Sequence, residues 1–293
     1  ARSPQERDLM GGLRYAYVTN GLTGHRLDEA LRLLADCGYE GVALTLDHVH
    51  FDPFASGLAN RTARLRDLLV TLDLDCAIET GGRFVLDPRR KHHPSLVSEG
   101  SERRVELVRR AIDVAADLGS DVVSLWSGEL PDGVDREAAW VQLCEGVERL
   151  LAYASERGVR LGFEPEPGML VERLDHYEAL ARDLGRPDAL GLTLDLGHCV
   201  CLEEAPADDC VRKFARRLAH VHIDDMRRGV HEHLLLGDGE LDLQAALRAL
   251  IESGYAGLVA VELSRHSHAA HETVPATIAA MRAAEPAPAG VRR

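Results

Sequence analysis

Short runs rich in Val, Leu and Ile alternate along this chain with longer amphipathic stretches. Such alternation predicts strand–helix units laid on a parallel sheet. The aliphatic runs place strands near 13–19, 41–46, 75–80, 121–127, 160–164, 191–195, 219–223 and 258–263. Several of these are apolar on both faces, as expected where helices cover one side and a packed interior fills the other. Helical periodicity falls between them, at 27–37, 59–72, 101–118, 136–157, 176–184, 207–217, 243–253 and 273–283. Gly38, Gly119, Gly158 and Gly254 each stand between a helix and the next strand, where a left-handed residue stops the helix. The junction Gly38-Tyr39-Glu40-Gly41-Val42 nearly repeats as Gly254-Tyr255-Ala256-Gly257-Leu258. Eight strands, eight helices and a recurring junction predict a single α/β domain, a (β/α)₈ TIM barrel over 13–283. Tails are expected at 1–12 and 284–293. A doubly wound sheet would require a glycine-rich phosphate loop after an early strand. Asn20-Gly21-Leu22-Thr23-Gly24 lacks the third glycine, and the glycines between Gly229 and Gly239 come too late in the chain.

Composition narrows the function. The 293 residues suit one barrel, and no run of eighteen apolar residues is available to span a membrane. The opening residues read as a polar tail rather than a signal peptide. A formal net charge of -14 argues against wrapping nucleic acid, which demands a basic surface. Six scattered cysteines show no disulfide rhythm, so a reduced, cytoplasmic location is expected.

Function in a barrel sits at the C-terminal ends of the strands. The fifth strand ends in Glu164, the sixth in Asp195 and the eighth in Glu262, while the seventh carries His220-Val221-His222. Three carboxylates in one mouth repel one another and lose hydration, and a divalent cation removes both penalties. Oxygen-rich coordination with one nitrogen suits Mn²⁺ first, with Mg²⁺, Co²⁺, Zn²⁺ or Fe²⁺ as alternatives. Residues two apart on a strand face the same side, so depth decides between the histidines. His222 is nearer the mouth and is assigned to the metal, leaving His220 a packing or supporting role. Glu79, at the end of the third strand, is a candidate substrate contact. His48, His50, Arg83, Lys91, His92 and His93 lie at or after strand ends and could shape specificity.

The rim from Gly158 to Arg265, with Gly162-Phe163-Glu164-Pro165, Leu194-Asp195-Leu196-Gly197-His198 and Ala260-Val261-Glu262, resembles the xylose isomerase-like TIM-barrel superfamily, in its sugar phosphate isomerase/epimerase branch. The resemblance implies one divalent metal held by Glu164, Asp195, His222 and Glu262. It further implies isomerisation or epimerisation of a sugar, keto-sugar or cyclitol ketone through an enediolate, with Glu164 and Glu262 moving the proton. His198 would contact the substrate, as would a basic residue among Arg227, His231 and His233, ahead of Gly237-Asp238-Gly239-Glu240. A dehydratase on the same fold is the alternative. A DNA repair nuclease like endonuclease IV is a remote one, since it demands more metal-binding histidines and a basic face. A small carbohydrate-like partner is expected, with no nucleic acid, no membrane and a possible homodimer.

Overall fold

The computed structural model describes residues 12–286. Eight parallel strands close into a barrel: β1 (Arg14–Val18), β2 (Gly41–Thr45), β3 (Asp75–Glu79), β4 (Val122–Leu125), β5 (Arg160–Phe163), β6 (Leu190–Asp195), β7 (Leu218–Ile223) and β10 (Leu258–Val261). Each pairs with its neighbours in chain order, and β10 closes on β1. Between them run α1 (Leu27–Cys37), α2 (Leu58–Leu72), α3 (Glu102–Leu118), α4 (Arg136–Arg157), α5 (Leu174–Asp183), α6 (Leu196–Leu202), α7 (Ala207–Phe214) and α8 (Leu243–Glu252), and α9 (Ala270–Ala284) follows β10. The expected barrel is therefore present. The expected tails lie mostly outside the described residues, although α9 reaches Ala284 and Glu285 accepts from the Leu13 amide at 2.9 Å and the Tyr15 hydroxyl at 3.1 Å.

The period-two pattern of the strands explains the packing. Outward residues such as Leu161, Phe163, Leu192, Leu194, Val221, Ile223, Val259 and Val261 are fully buried beneath the helices. Burying each such side chain contributes about 1.5–3 kcal/mol. A separate, smaller cluster inside the barrel holds Ala16, Val18, Ala43, Ala77, Val122, Leu258 and Ala260. Towards the C-terminal mouth the same alternating positions turn polar: Thr45, Glu79, Ser124, Thr193 and His222 are all buried. Small residues below leave room for ionisable ones above. Helix-stopping glycines take the left-handed conformation expected of them, Gly38 at φ 86 and Gly158 at φ 69.

Two features depart from the sequence reading, and both lie on the sixth and seventh units. A short helix, α6, starts directly at Leu196 because the Asp195 carboxylate caps it, accepting from the His198 amide at 2.7 Å. The stretch after β7, for which the sequence predicted no strand, forms an antiparallel hairpin of β8 (Asp225–Arg227) and β9 (Val230–Leu234). Its turn uses Gly229 at φ 72. Gly197 lets that hairpin approach α6, since a β-carbon there would stand 2.9 Å from Met226 Cγ. No helix among the described residues is long and apolar enough to cross a membrane. All six cysteines are free.

Candidate active site

Strand register assembles the mouth. Asp195 lies directly opposite His222 across the β6–β7 pair, and Ala260 lies opposite His222 across β7–β10. Glu164 and Glu262 each extend the ladder one residue past their strands, donating backbone N–H to Leu125 O at 2.8 Å and to Ile223 O at 3.1 Å. The four side chains converge, with one ligand atom from each lying within 4.8 Å of all the others. His222 Nδ1 is 3.1 Å from Glu164 Oε1, 3.2 Å from Glu262 Oε2 and 4.0 Å from Asp195 Oδ2.

These residues fit a divalent ion. A single Nδ1 cannot satisfy three carboxylates, and Asp195 Oδ2 is buried with no hydrogen-bond partner. Three oxygens and one nitrogen form the donor set of a hard-to-borderline cation. The Asp195 carboxylate thus divides its oxygens, one capping α6 and the other facing the cluster.

Behind these four side chains stands a carboxylate that the sequence suggested only as a substrate contact. Glu79 Oε1 accepts from His222 Nε2 at 3.0 Å and lies 3.2 Å from His220 Nε2. With Nε2 turned to Glu79, His222 presents Nδ1 to the mouth. His220 sits beneath, its ring centroid 4.9 Å from that of His222. Glu79 also lines the cavity. Asn20, from the end of β1, donates to Glu262 Oε1 at 2.7 Å and was not singled out from sequence. Its position at a strand end was the one available signal.

Burial and charge act in opposite directions here. Burial raises the Glu79 carboxyl, but His222 and His220 outweigh it and bring it down to about 2. Burial pulls His222 down, yet Glu79, Glu164 and Glu262 carry it well above the usual imidazole range. Burial holds Glu164 well above the carboxylate range, and burial with Glu262 beside it lifts Glu166 to about 7. Partial burial pulls His233 down, but its bond to Asp224 pushes it up to about 10.

Of the proposed substrate contacts, His198, His231 and His233 cluster beside the four converging side chains, with side-chain nitrogens within 4.8 Å of one another. His198 Nδ1 donates to Pro165 O at 3.1 Å, leaving Nε2 buried and unpartnered. His233 Nδ1 is held by Asp224, a buried residue given no role from the sequence. Arg227 is not brought in, because it is exposed and donates to Asp238 O at 2.7 Å. Arg83, Lys91 and His92 do reach the cavity wall, together with Trp126. His48 is instead tied to Asp52 at 2.9 Å and His50 to His25 O at 3.2 Å.

A barrel with such a mouth defines a class of small-molecule sites, and comparison with known proteins narrows it. Residues 31–284 match the family described as xylose isomerase-like TIM barrel. The chain belongs to that family. It is 27% identical over 168 residues to inosose dehydratase of Clostridium perfringens, a match spanning 51% of this chain and 56% of that enzyme. The chain thus aligns with little more than half the length of that relative. It is 25% identical over 253 residues to fructoselysine 3-epimerase of Shigella flexneri, covering 82% of this chain and 87% of the relative. A D-allulose 3-epimerase from Methylomonas sp. shares the fold, with a TM-score of 0.73 and 18% identity over 93% of this chain and 98% of that one.

Proposed function

We propose that this chain is a divalent-metal-dependent isomerase or epimerase acting on a sugar, keto-sugar or cyclitol ketone. The observation that carries this reading is the convergence of Glu164, Asp195 and Glu262 on His222 Nδ1 at the barrel mouth. A bound divalent ion, Mn²⁺ by preference, would supply the positive charge that acidifies a C–H bond beside a carbonyl. Glu164 and Glu262 would take the proton from that carbon and return it, one from each side, passing through an enediolate. Asn20 orients Glu262 for this task, and Glu79 sets which nitrogen of His222 faces the mouth. His198 Nε2 stands free to meet a substrate hydroxyl.

The His233–Asp224 pair favours a second reading, a dehydratase. An imidazole braced by a buried carboxylate beside the site can protonate a departing β-hydroxyl. The 27% identity to an inosose dehydratase supports the same reading. Incubating ketoses, inososes and keto-acids with Mn²⁺-loaded protein in D₂O separates the two. Deuterium incorporation without water loss marks the isomerase or epimerase. Water loss that disappears in His233→Ala or His198→Ala while exchange survives marks the dehydratase. Absence of exchange across the whole panel refutes both.

A further inference from the structure

The cavity above the four ligands measures about 200 Å³, below the roughly 300–1,000 Å³ usual for a small-molecule site. A second chamber of about 940 Å³ adjoins it, and the two share Lys91, His92, Glu166 and His231 in their walls. A substrate whose reacting carbons sit in the inner space therefore has room to extend outward.

Charge at the junction states what that extension carries. Besides its histidines, the inner cavity is lined by three Arg or Lys side chains, Arg83, Lys91 and Arg265. Arg265 is bound to Glu232 at 2.6 Å. Among the described residues, Arg83 and Lys91 have no side-chain hydrogen bond and no carboxylate within ion-pair distance, in a chain of net charge -14. Both are rooted on a braced loop between β3 and α3. Arg104, nearly fully buried, donates to Thr80 O at 3.1 Å, His92 O at 3.0 Å and Pro94 O at 2.9 Å. Its guanidinium also stacks on Trp126 at 4.8 Å, and the His92 amide donates to Arg83 O at 2.6 Å. The outer chamber carries Glu99, Glu129 and Asp132 beside Arg90, and its shared end sets Lys91 against Glu166, with Arg83 on the inner side.

We propose that the substrate bears an anionic group, a carboxylate or a phosphate ester, remote from its reacting carbons, and that Lys91, where the two chambers meet, and Arg83, on the inner cavity wall, bind it. This rests on the isomerase reading for the reacting end. The competing account is that the two cations only balance the buried acids.

The test compares a ketohexose, its terminal carboxylate and its terminal phosphate ester in D₂O exchange with the Mn²⁺-loaded protein. One anionic form is expected to have the higher kcat/KM, and which one identifies the group. Arg83→Ala and Lys91→Ala should each raise its KM by about tenfold or more, the scale of one charge-assisted hydrogen bond. The preference over the neutral sugar should collapse with it, and Lys91→Arg should restore most of it. Calorimetric titration of sorbitol, gluconate and sorbitol phosphate, none of which reacts, reads the anion site without turnover. Exchange failing on every sugar while an anionic probe binds and the double alanine variant loses it would sink the isomerase reading alone. Equal binding of neutral and anionic probes, or variants that weaken both alike, overturns the anion proposal.

Discussion

Replacing Glu79 by Gln tests whether this carboxylate sets the metal-binding nitrogen of His222. The side chain keeps its shape but loses the charge that accepts from His222 Nε2 at 3.0 Å and faces His220 Nε2 at 3.2 Å. Its amide N–H₂ would meet a ring N–H in one of its two orientations. Losing such a partner commonly lowers metal affinity by about 10–100-fold. The melting temperature turns this into a number. At a free Mn²⁺ concentration 100 times Kd, the ion stabilises the native chain by about 2.7 kcal/mol. An unfolding entropy near 2.1 cal/mol/K per residue makes that about 4–5 °C for a chain of this size. If Kd rises about 30-fold in Glu79→Gln, the same Mn²⁺ contributes about 0.9 kcal/mol, and the shift shrinks to about 1.5 °C. The assay is paired thermal denaturation of EDTA-treated and Mn²⁺-loaded protein, wild type against variant, with calorimetric Kd alongside. Comparing EDTA-treated wild type with EDTA-treated variant separates any loss of fold stability from loss of metal binding. A Kd within twofold of wild type and an unchanged Mn²⁺-dependent shift would refute the positioning role and leave Glu79 as a cavity wall.

The four proposed ligands carry further predictions. Asp195→Ala should abolish metal retention on elemental analysis and should also weaken the start of α6, whose cap it removes, by about 1 kcal/mol. Full metal content in that variant would contradict the donor set. Glu164→Gln and Glu262→Gln keep an oxygen donor but lose the proton acceptor, so metal content should fall partly while turnover falls by about 10²–10⁴-fold. An epimerase should retain deuterium exchange from a single face in one of the two variants. Near-normal turnover in both, with metal bound, would place proton transfer elsewhere.

Much of this molecule follows from local pattern. The strands near 121–127, 160–164 and 258–263 were legible because short aliphatic runs and helix-stopping glycines act over a few residues. The strand ends carrying Glu164, Asp195 and Glu262 followed from the same frame, as did the inward phase shared by His220 and His222. The hairpin of β8 and β9 was not legible, because its short, polar strands carry no apolar alternation and depend on Gly197 for room beside α6. Arg227 and His233 looked equivalent in sequence, yet that hairpin turns Arg227 to the surface and His233 onto Asp224. The pairing of Glu79 with His222 joins residues 143 apart, and that of Asn20 with Glu262 joins residues 242 apart. No periodicity extends so far along the chain. These contacts exist because the sheet closes, bringing β3 across from β7 and β1 against β10, and because burial leaves each ionisable group only the partners that closure supplies.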